Sequence, residues 1–289
     1  MYGLEGFAYN IANVYRIAAP ALGYRRADVS TRELREAYRA FIRHHHKLHE
    51  LGASDSLIVS DPDIAKVLLA RIGRSKVDDL DQEPMIDATP SEAEFARRAA
   101  QVVLALVAFN ARCPEFFQLF HLVVHGIALS CSGRNRAGRR PCAGSSRALI
   151  GLIWIETEQF LDIDDLVEIF VQEATHTLVY LDELNQGHFH HDKLEGQEYR
   201  ARSAILPCSR PLDKAIHSIA VAAEVLHARR SFLGEPLNPR VHPASSELAR
   251  NALSSVESVL SQRNLHEVCM PRAIELTRSA GRLIERLTR

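Results

Sequence analysis

The sequence predicts a mainly α fold with one small β element near 149–156. Three observations carry this reading. Apolar residues recur at helical spacing through long stretches, capping residues and glycines punctuate them, and only one short run is apolar enough throughout to be a buried strand. Ser30 stands three residues before Glu33 as a capping box; Leu34, Ala37, Phe41 and Leu48 follow, and Gly52 closes that helix. Asp61 and Pro62 open a shorter helix that Gly73 ends. Thr89, Pro90 and Glu92 repeat the start signal ahead of a helical run over 95–113. The stretch 116–130, about 15 residues broken by Gln118, His121 and His125, reads as a buried helix and is shorter than the roughly 20 residues of a membrane span.

Between Cys131 and Arg147 the composition shifts to glycine, serine and arginine (Arg134, Arg136, Arg139, Arg140, Arg147), which spells a long loop, either a solvated basic segment or a substrate-binding lid. The apolar run with Trp154 then suits the short strand. Asp162 or Asp164 caps a helix whose face is Leu166, Ile169, Phe170, Glu173, His176, Thr177, Tyr180 and Leu181. A polar loop over 186–200 carries His188, His190 and His191, which reads as surface. Pro211 and Leu212 start a helix reaching about Arg230, and 243–263 and 265–287 supply two more. With no internal repeat and no linker, the simplest organisation is one domain over 1–289. It comprises a helical N-terminal half (1–130), a metal-site segment (149–230) and C-terminal helices (243–289).

Of the 289 residues 46% are hydrophobic and 25% charged, with 35 basic against 36 acidic side chains, so the chain is an ordinary globular protein. A net charge of −1 gives no global field for nucleic acid or an anionic membrane, and the arginines of the loop lack interleaved aromatics. Five cysteines without a CxxC pair fit reduced thiols, and the start MYGLEGFAYN lacks the features of a signal peptide, so a cytoplasmic location is expected.

Glu173 and His176 lie three apart on an otherwise apolar helix face, where i and i+3 side chains can share one metal ion. His217 sits in a second apolar helix among Ile216, Ile219, Ala220 and Ala223. Two histidines and one carboxylate from two helices are the donor set of a facial triad for non-haem Fe(II), and zinc accepts the same donors. These segments, the strand GLIWIE, the pentad QEATH and the helix SRPLDKAIHSIAVAAEVL, resemble the bacterial HExxH-motif proteins associated with peptide modification, some of them 2-oxoglutarate-dependent peptide β-hydroxylases. The resemblance covers about 149–230, and its most specific part is Arg210, Pro211, Leu212 and His217.

The resemblance implies Fe(II) held by His176, His217 and Glu173, with 2-oxoglutarate anchored by Arg210 or Arg202 and a peptide or amino-acid-derived substrate hydroxylated in a biosynthetic pathway. Glu173 and Arg210 would be the catalytic pair, and a homodimer is compatible with it. Two positions depart from the pattern: Gln172 replaces the first motif histidine, and Leu206 stands where another arginine belongs. Gln172 disfavours a zinc peptidase, which needs both motif histidines. Two alternatives stay open. Glu224 and His227 form a second Glu-x-x-His; two such motifs on facing helices are half of a di-iron site, with Glu156, Glu158 or Glu168 to supply further oxygens, although a solvent-facing pair is the plainer reading. A metal-free protein that keeps the fold and binds a peptide is the other. His121 and His125 read as a core or interface pair, and His44, His45, His46 and His49 as a solvated face.

Overall fold

The computed structural model describes all residues except 24–28, 48–55, 75–85, 89, 133–140, 158–160 and 195. The helix end expected at Gly52, the start at Thr89, His49, Glu158 and four of the five loop arginines (134, 136, 139 and 140) lie outside the described residues. The chain is mainly α, with the elements α1 (Tyr2–Leu22), α2 (Thr31–His46), α3 (Pro62–Arg74), β1 (Ile86–Ala88), α4 (Glu92–Arg112), α5 (Pro114–Val123), β2 (Gly126–Ser132), β3 (Ala143–Ser145) and β4 (Leu152–Glu156). There follow α6 (Ile163–Gln186), β5 (Arg200–Arg202), β6 (Ser209–Pro211), α7 (Leu212–Ala228), α8 (Ser245–Leu260), α9 (Leu265–Val268) and α10 (Pro271–Thr288). The chain divides into two compact units. The first is Phe7–Tyr180; the second joins Met1–Gly6 to Leu181–Arg289.

In the first unit, Ser30 and Glu33 make the expected reciprocal cap, and the Asp61 carboxylate accepts from the N–H groups of Asp63 and Ile64. Helix α4 is capped two residues later than expected, by Ser91 and Glu94. The four-stranded sheet runs in the order β1-β2-β4-β3, with β2 parallel to β4 from Gly126↔Leu152 to Ser130↔Glu156. The helix expected over 116–130 is corrected here: α5 stops at Val123, and the rest is β2. A buried parallel strand and a buried helix share the same continuous apolar signature. The backbone N–H of His125, just past the helix, donates to Gly151 O at 2.7 Å. Gly151 has φ +85°, and a Cβ there would stand 2.7 Å from Ile42 Cδ1 and 3.0 Å from Val123 O, so only glycine opens β4 in this way.

His46 also departs from expectation. It is buried, and its Nε2 accepts the Ile150 N–H at 3.0 Å, which makes the ring neutral. Burial first, then the nearby His45 and Arg71, lowers its pKa from 6.5 to about 4. His125 is likewise buried and held well below 6.5, by burial and then by Arg35, Arg39 and His121. A folded pKa below the unfolded one gives stability that is present above pH 6.5 and lost as pH falls toward the folded value. Thermal melting should therefore drop between pH 6.5 and about 4, and His46→Gln should flatten that slope; an unchanged slope would refute the assignment.

In the second unit, α7, α8 and α10 pack around Val221, Val225, Leu248, Ala252, Ile274 and Ile284, all buried. The helix expected over 265–287 is split at Met270 because Pro271 cannot continue α9 and instead starts α10. Gly6, with φ 79°, ψ 167°, breaks α1 at the boundary of the unit, and the turn before it is held by Glu224. That carboxylate is wholly buried and accepts from the N–H groups of Gly3 at 2.8 Å and Leu4 at 3.0 Å. The solvent-facing reading of Glu224 and His227 is thus wrong: Glu224 caps a helix start, and His227 is half-buried with its ring 6.0 Å from that of Tyr2.

His188 is buried rather than on the surface. Its Nε2 meets Asp182 Oδ2 at 2.9 Å, the same oxygen accepts from Arg272 Nε at 2.7 Å, and Arg272 Nη2 reaches Glu5 at 2.7 Å. His191 pairs with Glu183, and His190 is exposed.

Candidate functional site

Helix α6 begins with a reciprocal pair, Asp165 N–H to Asp162 Oδ1 at 2.9 Å and Asp162 N–H to Asp165 Oδ2 at 3.0 Å. Its first turns then bury Leu166, Val167, Ile169, Phe170 and Val171, with Glu168 buried among them. Phe170 packs 5.2 Å from Phe120 and 6.4 Å from Phe109, ring centroid to centroid, which seats α6 on α4 and α5. Thr175 and Thr177 donate back to the carbonyls of Val171 and Glu173, so their hydroxyls are satisfied inside the helix.

Along α6 from Asp165 to Glu183, every residue is buried except two, Gln172 and His176. They lie one turn apart and are the first and last positions of the HExxH-like pentad. Between them Glu173 is 0% exposed. Its Oε1 accepts from Gln172 Nε2 at 2.7 Å, whereas Oε2 completes no hydrogen bond of good geometry among the described residues. Ser145, on the edge strand β3, faces this carboxyl, and its Oγ also completes no hydrogen bond of good geometry. Burial pushes the Glu173 carboxyl up from 4.5 to about 7, against the opposing pull of Gln172 and Ser145.

Such a group exchanges a proton near neutral pH. It donates a hydrogen bond when neutral and accepts one when ionised.

Among the described residues no group of three or more histidine, cysteine, aspartate or glutamate side chains is placed to hold a metal ion. The α6 face offers one imidazole and one carboxylate that already accepts from an amide. Taken alone, that pair is fewer than the three protein donors of a facial iron site or a catalytic zinc.

The remaining expected residues belong to the second unit. His217 lies on α7, 4% exposed. The next residue, Ser218, accepts the Ala204 N–H at 2.9 Å and donates to Ala215 O. Arg210 is half-buried on β6, opposite Ala201 of β5. Arg202 is exposed and serves the fold: its Nη1 donates to Ser254 Oγ at 2.8 Å and its N–H to Ser258 Oγ at 3.0 Å, tying β5 to α8. Neither Ser145 nor the Asp182–His188–Arg272 network figured among the residues expected from sequence. Ser145 gains its place through strand pairing with Ile153, and Arg272 is 90 residues from Asp182, so neither had a local signal.

No protein-family model matches the chain, and neither does any curated protein.

Proposed function

We propose that the chain binds a peptide or an amino-acid-derived molecule at the face formed by Gln172, Glu173 and His176, with Ser145 beside it, and that it does so without a resident metal. One observation carries this reading: the two openings in the buried stretch of α6 flank a buried carboxyl whose Oε2, with Ser145 facing the carboxyl, completes no hydrogen bond of good geometry among the described residues. A buried polar atom without a partner is costly unless something completes it. A peptide amide is suited to both unengaged atoms, its N–H to Glu173 Oε2 and its carbonyl to the Ser145 hydroxyl. Gln172 orients the carboxyl through the 2.7 Å bond to Oε1. The free thiols of all five cysteines agree with a reducing, cytoplasmic setting for this binding protein.

A second reading keeps the implied Fe(II)/2-oxoglutarate hydroxylase, and what favours it is that His176, at the second motif-histidine position, is one of the two openings. Arg202 is committed to Ser254, which leaves Arg210 to hold the cosubstrate carboxylate in that case.

Metal content separates the two. After anaerobic equilibration with Fe(II), or with Zn(II) in air, elemental analysis is expected to find sub-stoichiometric metal. Thermal stabilisation by short N-acetylated peptide amides should persist in chelator and disappear in Glu173→Leu. One equivalent of metal, lost in both His176→Ala and His217→Ala, would overturn the binding reading in favour of the oxygenase.

A further inference from the structure

The first turn of α1 is closed by one backbone bond, Glu5 N–H to Met1 O at 3.1 Å, and the helix then breaks at Gly6, whose φ 79°, ψ 167° suits glycine alone. Gly6 is exposed, and a Cβ there would meet nothing within 4 Å. The break falls where the chain passes between units: Met1–Gly6 belongs to the second, and Phe7 begins the first. The turn is therefore set off from the rest of its own helix by a joint with open space around it.

A helix start needs acceptors for its first N–H groups, and these usually come from a residue just ahead of it. Here they come from α7. Glu224, 0% exposed, accepts from the N–H groups of Gly3 at 2.8 Å and Leu4 at 3.0 Å. Three residues on, along the same face of α7, His227 fills the space beside Gly3. A Cβ on residue 3 would stand 2.6 Å from the His227 ring carbons Cγ and Cδ2 and 3.1 Å from its Cβ, which is the stiff end of that side chain. Helix α10 supplies the third contact. Arg272 Nη2 meets Glu5 Oε1 at 2.7 Å with both side chains largely buried, and Arg272 Nε is fixed on Asp182 at 2.7 Å. Met1 itself is 0% exposed.

We infer that α7 and α10 form a socket for a helical turn of the pattern apolar-x-Gly-x-Glu, which residues 1–5 fill as a tethered ligand, and that the partner it fits is another polypeptide carrying such a turn at a helix start. The socket selects position 1 by burial, position 3 by excluding any side chain, and position 5 by charge. Glu224 holds backbone N–H groups that every such turn presents. The tether gives the chain's own turn an effective concentration on the order of millimolar, so a partner enters only when that turn swings out about Gly6. The socket lies in the second unit and does not depend on the reading of the α6 face.

Two full-length forms test this with one probe, the peptide MYGLEG bearing a C-terminal fluorophore and followed by fluorescence anisotropy. The first form carries a protease recognition sequence inserted between Gly6 and Phe7 and is cleaved and dialysed. The second carries Gly3→Ala, which expels the chain's own turn without any cleavage. Both should bind the probe at least about tenfold more tightly than the intact wild-type chain, whose α6 face is equally open. Gly3→Ala in the probe should weaken its binding by about tenfold or more, and Glu5→Gln should weaken it as well. Where cleavage or the substitution lowers the melting temperature, added MYGLEG should restore it and the Gly3→Ala peptide should not. Equal binding by the intact wild-type chain and both opened forms would overturn the inference, as would equal binding of the Gly3→Ala probe. Opened forms that neither bind the probe nor regain their melting temperature with it would overturn it too.

Discussion

Glu173→Gln is expected to stabilise the protein at alkaline pH while removing its proton-exchanging group. A carboxyl whose folded pKa stands above its unfolded one contributes stability below the unfolded value and loses it as pH rises through the folded value. Here that window runs from 4.5 to about 7. Ionising a wholly buried carboxyl across that interval costs on the order of 3 kcal/mol. The amide of glutamine has nearly the same shape and no such cost. Chemical denaturation should show the variant and the wild type alike below pH 4.5, diverging to about 2–3 kcal/mol in favour of the variant above pH 7. Peptide-amide binding should at the same time lose its pH dependence. A variant less stable than the wild type at alkaline pH would show that the carboxylate is matched by a charge or donor at that site, and the functional reading would fall with it. A stability cost kept at one residue is the usual mark of a site retained for function rather than for folding.

Asp182→Ala should be the most destabilising single change in the second unit. Its carboxylate is 0% exposed and holds both His188 Nε2 and Arg272 Nε through one oxygen. Burial disfavours the Arg272 charge, yet Asp182 and Glu5 together raise its pKa above the ordinary arginine value. Removing Asp182 strips a largely buried guanidinium of one of its two shortest carboxylate contacts, at a cost of about 3–5 kcal/mol. Urea denaturation would read this directly, and Asp182→Asn, which keeps one acceptor oxygen, should lose less. A loss below about 1 kcal/mol would mean that the network contributes nothing beyond an exposed pair.

Where the chain carries a local signal, the fold is legible in the sequence. Ser30 with Glu33, Asp61 with Pro62, and Pro211 before α7 each mark a helix start that depends on residues within one turn of one another. The errors fall where tertiary contacts decide. The run through Val123 and Val124 is apolar enough for either element, and pairing with β4 makes its second half a strand. His46 lies among charged neighbours, but Ile150 claims its ring across 104 residues of sequence. Glu224 reads as one half of a Glu-x-x-His pair, whereas its partners Gly3 and Leu4 stand at the other end of the chain. The candidate site is legible in one part only. The pentad at 172–176 locates the opening on α6, but Ser145 enters through the register of an edge strand, and a pattern of histidines does not reveal how many donors meet at one point.

The turn from Tyr2 to Glu5 belongs with residues 181–289, and this has a consequence for synthesis. A ribosome releases that turn early and Arg272, the partner of Glu5, 267 residues later. At roughly 5–20 residues per second Glu224 follows Leu4 by about 11–44 seconds and Arg272 follows Glu5 by about 13–53 seconds, so the turn is claimed in two steps. Residues 7–180 are already made by then, so the second unit is completed only when α10 brings Arg272 to Glu5.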